Sequence, residues 1–158
     1  MALKITKAEV WAGDLRDVPG GVADALASLA RAGANLEFLI ARRDPSRPGI
    51  GQIFLTPVKG KQAQAAASAA RLSPARDIGT LRVEGPNRAG VGHDMTRAIA
   101  DAGINLRGVS AAVLGNNFIA YFGFDSVADA NRAAKVLSKV GQAGGATARR
   151  RGRSASKR

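Results

Sequence analysis

Asn87-Arg88-Ala89-Gly90, followed by an amphipathic stretch and closed by Ala102-Gly103-Ile104-Asn105-Leu106, restates an earlier passage of the chain. That passage opens with Asp17-Val18-Pro19-Gly20 and closes with Ala32-Gly33-Ala34-Asn35-Leu36. The pairs Gly20/Gly90, Asp24/Asp94, Gly33/Gly103, Asn35/Asn105 and Phe54/Phe124 all stand 70 residues apart. Alanine-rich chains match themselves by chance, but glycine, asparagine and phenylalanine matched at one offset indicate an internal repeat.

Each copy reads in the same order outward from that stretch. A strand comes first, at Ile5–Ala12 and at Ile78–Gly85, where Leu81 and Val83 alternate with Arg82 and Glu84. A glycine turn leads into a helix over Gly21–Ala32 and Val91–Ala102. Val22, Leu26 and Leu29 share one face of the first, as Val91, Met95 and Ile99 do of the second. Gly33 and Gly103 suit the left-handed position that stops a helix. A hairpin follows, with strands Leu36–Arg42 and Ile50–Thr56 joined by Asp44–Gly49. In the second copy the strands are Leu106–Val113 and Phe118–Phe124, turned by Gly115-Asn116-Asn117. A second helix is expected at Lys61–Arg71 and Val127–Val140, the latter with an Ala130, Ala133, Ala134, Leu137 stripe. The order is β-α-β-β-α, the front of the ferredoxin-like plan. Leu72–Asp77 supplies a fourth strand to copy one, confined to an edge by Pro74. In copy two the matching Gly141–Thr147 is poor strand material, so its fourth strand is absent or comes from another chain.

Composition narrows the function classes. At 158 residues with 46% hydrophobic content, the chain can build one ordinary or two small packed domains. The absence of cysteine excludes disulfides, thiolate metal sites and thiol redox chemistry. No apolar run approaches the ~20 residues that span a bilayer, and the first seven residues lack a signal-peptide core, so a cytoplasmic location is expected. Of the net charge of +12, half sits on Arg149, Arg150, Arg151, Arg153, Lys157 and Arg158, in the last ten residues. This low-complexity tail reads as a solubilising extension, or as a salt-sensitive contact with a polyanion. His93, the only histidine, is expected to be solvated. No phosphate loop, metal-ligand cluster or nucleophile–base pair stands out, so neither cofactor nor metal is expected and the chain reads as a non-enzyme.

The two turn-to-asparagine stretches resemble the ACT family, whose domains show a polar-x-Pro-Gly turn and a helix ending in Ala-Gly-x-Asn-Leu or -Ile. The resemblance covers roughly residues 3–140. It implies an α+β fold of two tandem ferredoxin-like βαββαβ ACT domains, at 1–74 and 75–141, with 142–158 a flexible basic tail. It also implies a regulatory module that binds an amino acid or similar small metabolite between paired domains, forms a homodimer and acts on a partner enzyme. The ligand-binding positions carried over are Asp17, Val18, Pro19, Gly20, Gly21, Val22, Asn35 and Leu36. In copy two they are Asn87, Arg88, Ala89, Gly90, Val91, Gly92, Asn105 and Leu106.

Physical chemistry supports these positions independently. Free N–H groups at a helix start attract a carboxylate, and an amide offers a donor and an acceptor to a zwitterion. Copy one carries Asp17, which repels a carboxylate, and copy two has Ala89 where proline is usual; the second copy is the favoured site. The competing reading makes Gly33/Asn35 and Gly103/Asn105 mere helix stops with local capping. The rival function is a small basic RNA- or DNA-binding protein on the same scaffold. Against it, the first strand offers Trp11 in copy one and no aromatic in copy two.

Overall fold

A computed structural model describes residues 3–154, with side chains described over 3–140. The elements run β1 (Lys4–Lys7), β2 (Trp11–Arg16), α1 (Gly21–Arg31), β3 (Phe38–Arg43), β4 (Ile50–Thr56), α2 (Lys61–Ala69) and β5 (Ser73–Pro74). They continue with β6 (Gly79–Pro86), α3 (Val91–Asp101), β7 (Gly108–Leu114), β8 (Asn117–Phe124) and α4 (Val127–Ser154). The α1 and α3 helices start and end 70 residues apart, as the repeat predicts.

Two four-stranded antiparallel sheets result, ordered β3-β4-β2-β5 and β1-β6-β8-β7. In the first, alternate residues send Trp11, Ile53 and Leu55 into a core with Leu29 of α1 and Ala63 and Ala67 of α2. In the second, Leu81, Val83, Ala120, Phe122 and Phe124 meet Met95 and Ile99 of α3 and Ala130, Ala133 and Leu137 of α4. The fold is α+β and matches tandem ferredoxin-like βαββαβ units. As expected, Pro74 sits on an edge strand, opposite Trp11.

The margins of the two copies differ from expectation. The single strand expected at Ile5–Ala12 is two strands serving different sheets. β1 pairs antiparallel with β6 from Lys4↔Glu84 to Lys7↔Leu81, and Leu3 and Ile5 pack on the second copy's core. The fourth strand of copy two is therefore neither absent nor another chain's; it is the chain's own N-terminal strand. The chain divides accordingly into Ala8–Arg76 and a unit joining the N-terminal residues to those from Asp77 onward, where a split into 1–74 and 75–141 was expected. The connecting segment is pinned by Thr56 Oγ1 donating to the Glu9 carbonyl at 2.7 Å and Ala75 N–H donating to the Val10 carbonyl at 2.8 Å.

The expected flexible tail also differs. α4 keeps helical backbone to Ser154, consistent with its alanine, glutamine and arginine content, while each interior glycine opposes it by ~1 kcal/mol. Residues 155–158 of the expected tail lie outside the described residues.

The strand register corrects one repeat pair. Trp11 faces Leu55, and its counterpart Leu81 faces Phe122. The equivalence across β4 and β8 thus runs at an offset of 67, making Tyr121 the partner of Phe54. The Phe54/Phe124 match is a coincidence of sequence, because the copy-two hairpin loop is three residues shorter.

Candidate functional site

The turns before α1 and α3 explain their own sequence. Gly21 N–H donates to the Val18 carbonyl and Val91 N–H to the Arg88 carbonyl. Gly20 (φ 87, ψ −12) and Gly90 (φ 81, ψ −4) occupy the left-handed third position. Such a type II turn calls for glycine there and accepts proline or alanine just before it, so Pro19 and Ala89 do the same job. Neither helix has a side-chain N-cap. Asp24 and Asp94 N–H groups return to Gly20 and Gly90, which leaves the intervening N–H groups of Val22, Ala23, Gly92 and His93 without an intrahelical acceptor.

The two copies differ at this helix start. Gly21 is buried, and a Cβ there would sit 2.1 Å from the Arg16 carbonyl oxygen. Its smallness serves helix-to-strand packing rather than ligand approach. Val91, its counterpart, packs against the second core. Gly92 is exposed, and a Cβ added there would meet nothing within 4 Å, whereas copy one places the 37% exposed Val22 at this position. The N–H groups of α3 are thus less obstructed than those of α1.

Electrostatics sharpen the contrast. Asp17 is held by the Arg43 guanidinium at 2.7 Å, so the repulsion expected of its charge is largely offset. Arg47 reaches Asp14 through two bonds of 2.6 and 2.8 Å and Asp44 through a third of 2.8 Å. The Ser46 hydroxyl, then Arg47, hold the Asp44 carboxyl down at about 2. Hydrogen bonding to Arg47 also lowers Asp14, and these carboxylates in turn raise Arg47. This cluster clamps the long β3–β4 loop over β2 and was missed in the sequence; Asp44-x-Ser46-Arg47, an Asx-type turn pattern, was its legible signal. In copy two, Asn87 N–H donates instead to the Asn116 carbonyl at 2.8 Å. Arg88 turns back onto Asp94 at 2.5 Å, so the cation beside the helix start is already paired. Asn87, Arg88, Ala89 and Gly90 are all exposed.

Asn35 and Asn105 are not helix caps. Gly33 N–H bonds the Ala30 carbonyl and Ala34 N–H the Leu29 carbonyl, and Gly103 and Ile104 repeat this with Ala100 and Ile99. These backbone bonds finish both helices and leave the exposed asparagine side chains for other partners. Leu36 and Leu106 turn inward onto their cores and offer no side-chain contact. Each asparagine lies at the far end of its helix from the turn, across 11 residues, or ~16 Å. Within one copy, therefore, Asp17–Val22 does not meet Asn35, nor does Asn87–Gly92 meet Asn105. Among the described residues no group of three or more His, Cys, Asp or Glu converges on a metal position. Nor is any helix among them long and apolar enough to cross a membrane.

No family model matches the chain, and no curated relative does. Solved structures do match in fold. The ligand-free regulatory subunit of aspartate kinase from Thermus thermophilus aligns with a TM-score of 0.62 at 17% identity, over 89% of this chain and 97% of that one. Protein BT0572 from Bacteroides thetaiotaomicron aligns at 0.70 and 13% identity, over 85% and 89%. Aspartokinase III of E. coli, in complex with aspartate and ADP, aligns at 0.56 and 13% over 87% of this chain and 32% of its own. Sheet order, repeat and these alignments agree: the chain has a tandem ACT-like fold, the architecture of the aspartate-kinase regulatory subunit.

Proposed function

We propose that this protein is a non-catalytic regulatory module that binds an amino acid or similar small zwitterion, with the second copy as the principal site. The observation that carries the reading is the separation of the two halves of each site. Exposed helix-start N–H groups suit a carboxylate, the free asparagine amide suits both ends of a zwitterion, and they lie at opposite ends of one copy. Antiparallel pairing across a sheet edge with the same copy of a second chain would bring Asn105 of one chain toward the turn of the other. The effector would then sit between two chains and favour the paired state.

The edges suggest which strand pairs. β1 carries Lys4 and Lys7, β3 carries Arg42 and Arg43, and β5 contains Pro74; each feature discourages strand addition. β7 has no charge over seven residues, and Val109, Val113 and Leu114 are 49%, 56% and 83% exposed. Two β7 strands from two chains, paired antiparallel, give a homodimer. A partner enzyme whose activity follows that pairing completes the regulatory reading, and the Thermus thermophilus subunit is a precedent of the same fold.

The test is a thermal-shift screen against the twenty amino acids. A ligand at 100 times its Kd stabilises by about 2.7 kcal/mol. Stabilisation by one or two amino acids, lost in Asn105→Ala and retained in Asn35→Ala, is expected. A response to none of them removes the amino-acid reading.

A further inference from the structure

β7 carries two features that its own chain does not account for. Leu114, at 83%, is the most exposed large hydrophobic residue among those described. Gly108, at the other end of the strand, pairs with Gly123 of β8, so two glycines stand abreast. Glycine inside a strand gives up conformational entropy and cross-strand packing. Neither of these has a positive φ. A Cβ at Gly108 would meet nothing within 4 Å, and one at Gly123 would stand 3.7 Å from its nearest neighbour, an ordinary contact. Neither turn geometry nor packing within the chain therefore requires them.

Register shows that the two features share a face. Val113 pairs with Phe118 and Val109 with Phe122, both buried in the core with α3 and α4. Val109, Ala111 and Val113 therefore lie on the helix side of the sheet. Gly108, Ser110, Ala112 and Leu114 lie on the other side, with Gly123. Leu114 and Asn117 close a two-residue hairpin and exchange their backbone bonds there. Alternation then turns the N–H and C=O groups of Val109, Ala111 and Val113 toward the free edge.

We infer that β7 pairs with β7 of a second copy about a two-fold axis at Ala111, with Leu114 of each chain seated over Gly108 of the other. The inference rests on the homodimer reading above and fixes its register. Antiparallel pairing centred on Ala111 is the one two-fold register that matches every residue of the strand. It sets Val109 against Val113 and Ser110 against Ala112. Gly108 and Leu114 stand three residues either side of the axis, so they meet in a closely spaced, non-hydrogen-bonded pair. The missing side chains of Gly108 and Gly123 leave the space that a leucine over this position needs. No residue of β7 is charged, so nothing across the axis repels its own copy. Asn105 precedes Gly108 by three residues and is carried past Leu114 toward the second copy's 115–116 turn. At that turn the Asn116 carbonyl accepts the Asn87 N–H at 2.8 Å. A register slipped by two residues would displace Asn105 by about 7 Å, so the lock also positions the effector site.

The chain contains no cysteine, so disulfide trapping reads the register directly. Ser110 of one chain and Ala112 of the other stand about 4.5 Å apart at Cα, within disulfide range. Two copies of either residue stand about 7–8 Å apart, beyond it. After mild oxidation, Ser110→Cys and Ala112→Cys chains should each run as single chains on a non-reducing gel and give a covalent dimer when mixed. Sedimentation equilibrium of the full chain reads the lock. Gly108→Val enters open space in the free chain and favours a strand. It should therefore leave the thermal midpoint of the dilute chain unchanged or raised, while weakening the dimer at least tenfold. Leu114→Ser should weaken it as well, and adding Leu114→Ala to Gly108→Val should give a tighter dimer than Gly108→Val alone. Cross-linking of either single-cysteine chain with itself, or none on mixing, overturns the inference while a dimer by sedimentation keeps the homodimer reading. Dimers within twofold of the parent in both Gly108→Val and Leu114→Ser do the same. A chain monomeric at about 100 µM overturns both and leaves the edge to a strand of a different protein.

Discussion

In the first copy the turn before α1 is hemmed in. Arg43 holds Asp17, Arg47 ties Asp14 to Asp44, and the second position of α1 is Val22. In the second copy the same turn is bounded by a shorter hairpin loop, with exposed Asn87 and Gly92 in place of Asp17 and Val22. The helices and turn geometry coincide, so backbone plan alone does not distinguish the copies. What differs is side-chain closure. A duplicated framework can tie one copy's turn to its hairpin by an ion pair while the other's pairs only locally, Arg88 with Asp94, and this supports the proposal that the second copy is the site.

The copies also differ in how they are held together. α2 gives its core only Ala63 and Ala67, with Ala66 and Ala70 beside them, whereas α4 adds the fully buried Leu137. Leu137→Ala should be the most damaging simple change, costing about 2–5 kcal/mol as the core fails to close over the cavity. Urea unfolding followed by hydrogen exchange over β8 reads the loss. A cost below about 1 kcal/mol, well under that range, would mean that α4 is a weaker anchor than its burial indicates. Deleting residues 1–7 probes the exchanged strand and removes the β1–β6 ladder and the packing of Leu3 and Ile5. A loss of roughly 2–4 kcal/mol is expected from a few net hydrogen bonds near 0.5–1.5 kcal/mol each. Exchange should rise in β6 first. Faster exchange in β2 with β6 unchanged would return β1 to the first copy.

The residues themselves show where sequence reading succeeded. Gly20, Gly33, Gly90 and Gly103 stand where the chain turns sharply, and local chemistry is enough to place turn, helix and stop. Strand partnership is a different kind of information. Lys4-Ile5-Thr6-Lys7 alternates as well for one sheet as for another, and only tertiary competition between two edges assigns it to β6. The same holds for Phe124, which aligns with Phe54 by count but with a different position by register, because loop length shifts everything beyond it. At the candidate site, the turn and asparagine positions were legible from the repeat. Their separation along the helix was not emphasised by the motif, although eleven helical residues already imply it. The Arg47 clamp is not legible as a contact in the sequence because its partner Asp14 lies 33 residues away.

The smallest expected effect concerns that clamp, which only the first copy possesses. Asp44 titrates at about 2 when folded against 3.8 for the free side chain, chiefly through Ser46 and then Arg47. A lowered folded value means that the contribution is fully present above about pH 4 and drains away as pH falls from about 4 toward 2. Trp11, the chain's only tryptophan, is buried in the core of this copy, so its fluorescence follows the first copy's unfolding. Asp44→Asn keeps an acceptor for the Ser46 N–H and removes the titration. It should lower the midpoint at neutral pH slightly and make its decline between about pH 4 and 2 shallower, because one fewer carboxylate must take up a proton. Ser46→Ala should act in the same direction, and Arg47→Ala, which also releases the lowered Asp14, should flatten the acid limb further. An acid limb identical in all three variants would show that the loop is held by its backbone bonds, Asp44 N–H to Ile50 and Asp17 N–H to Gly49. The charge contrast between the copies would then be one of surface potential rather than of stability.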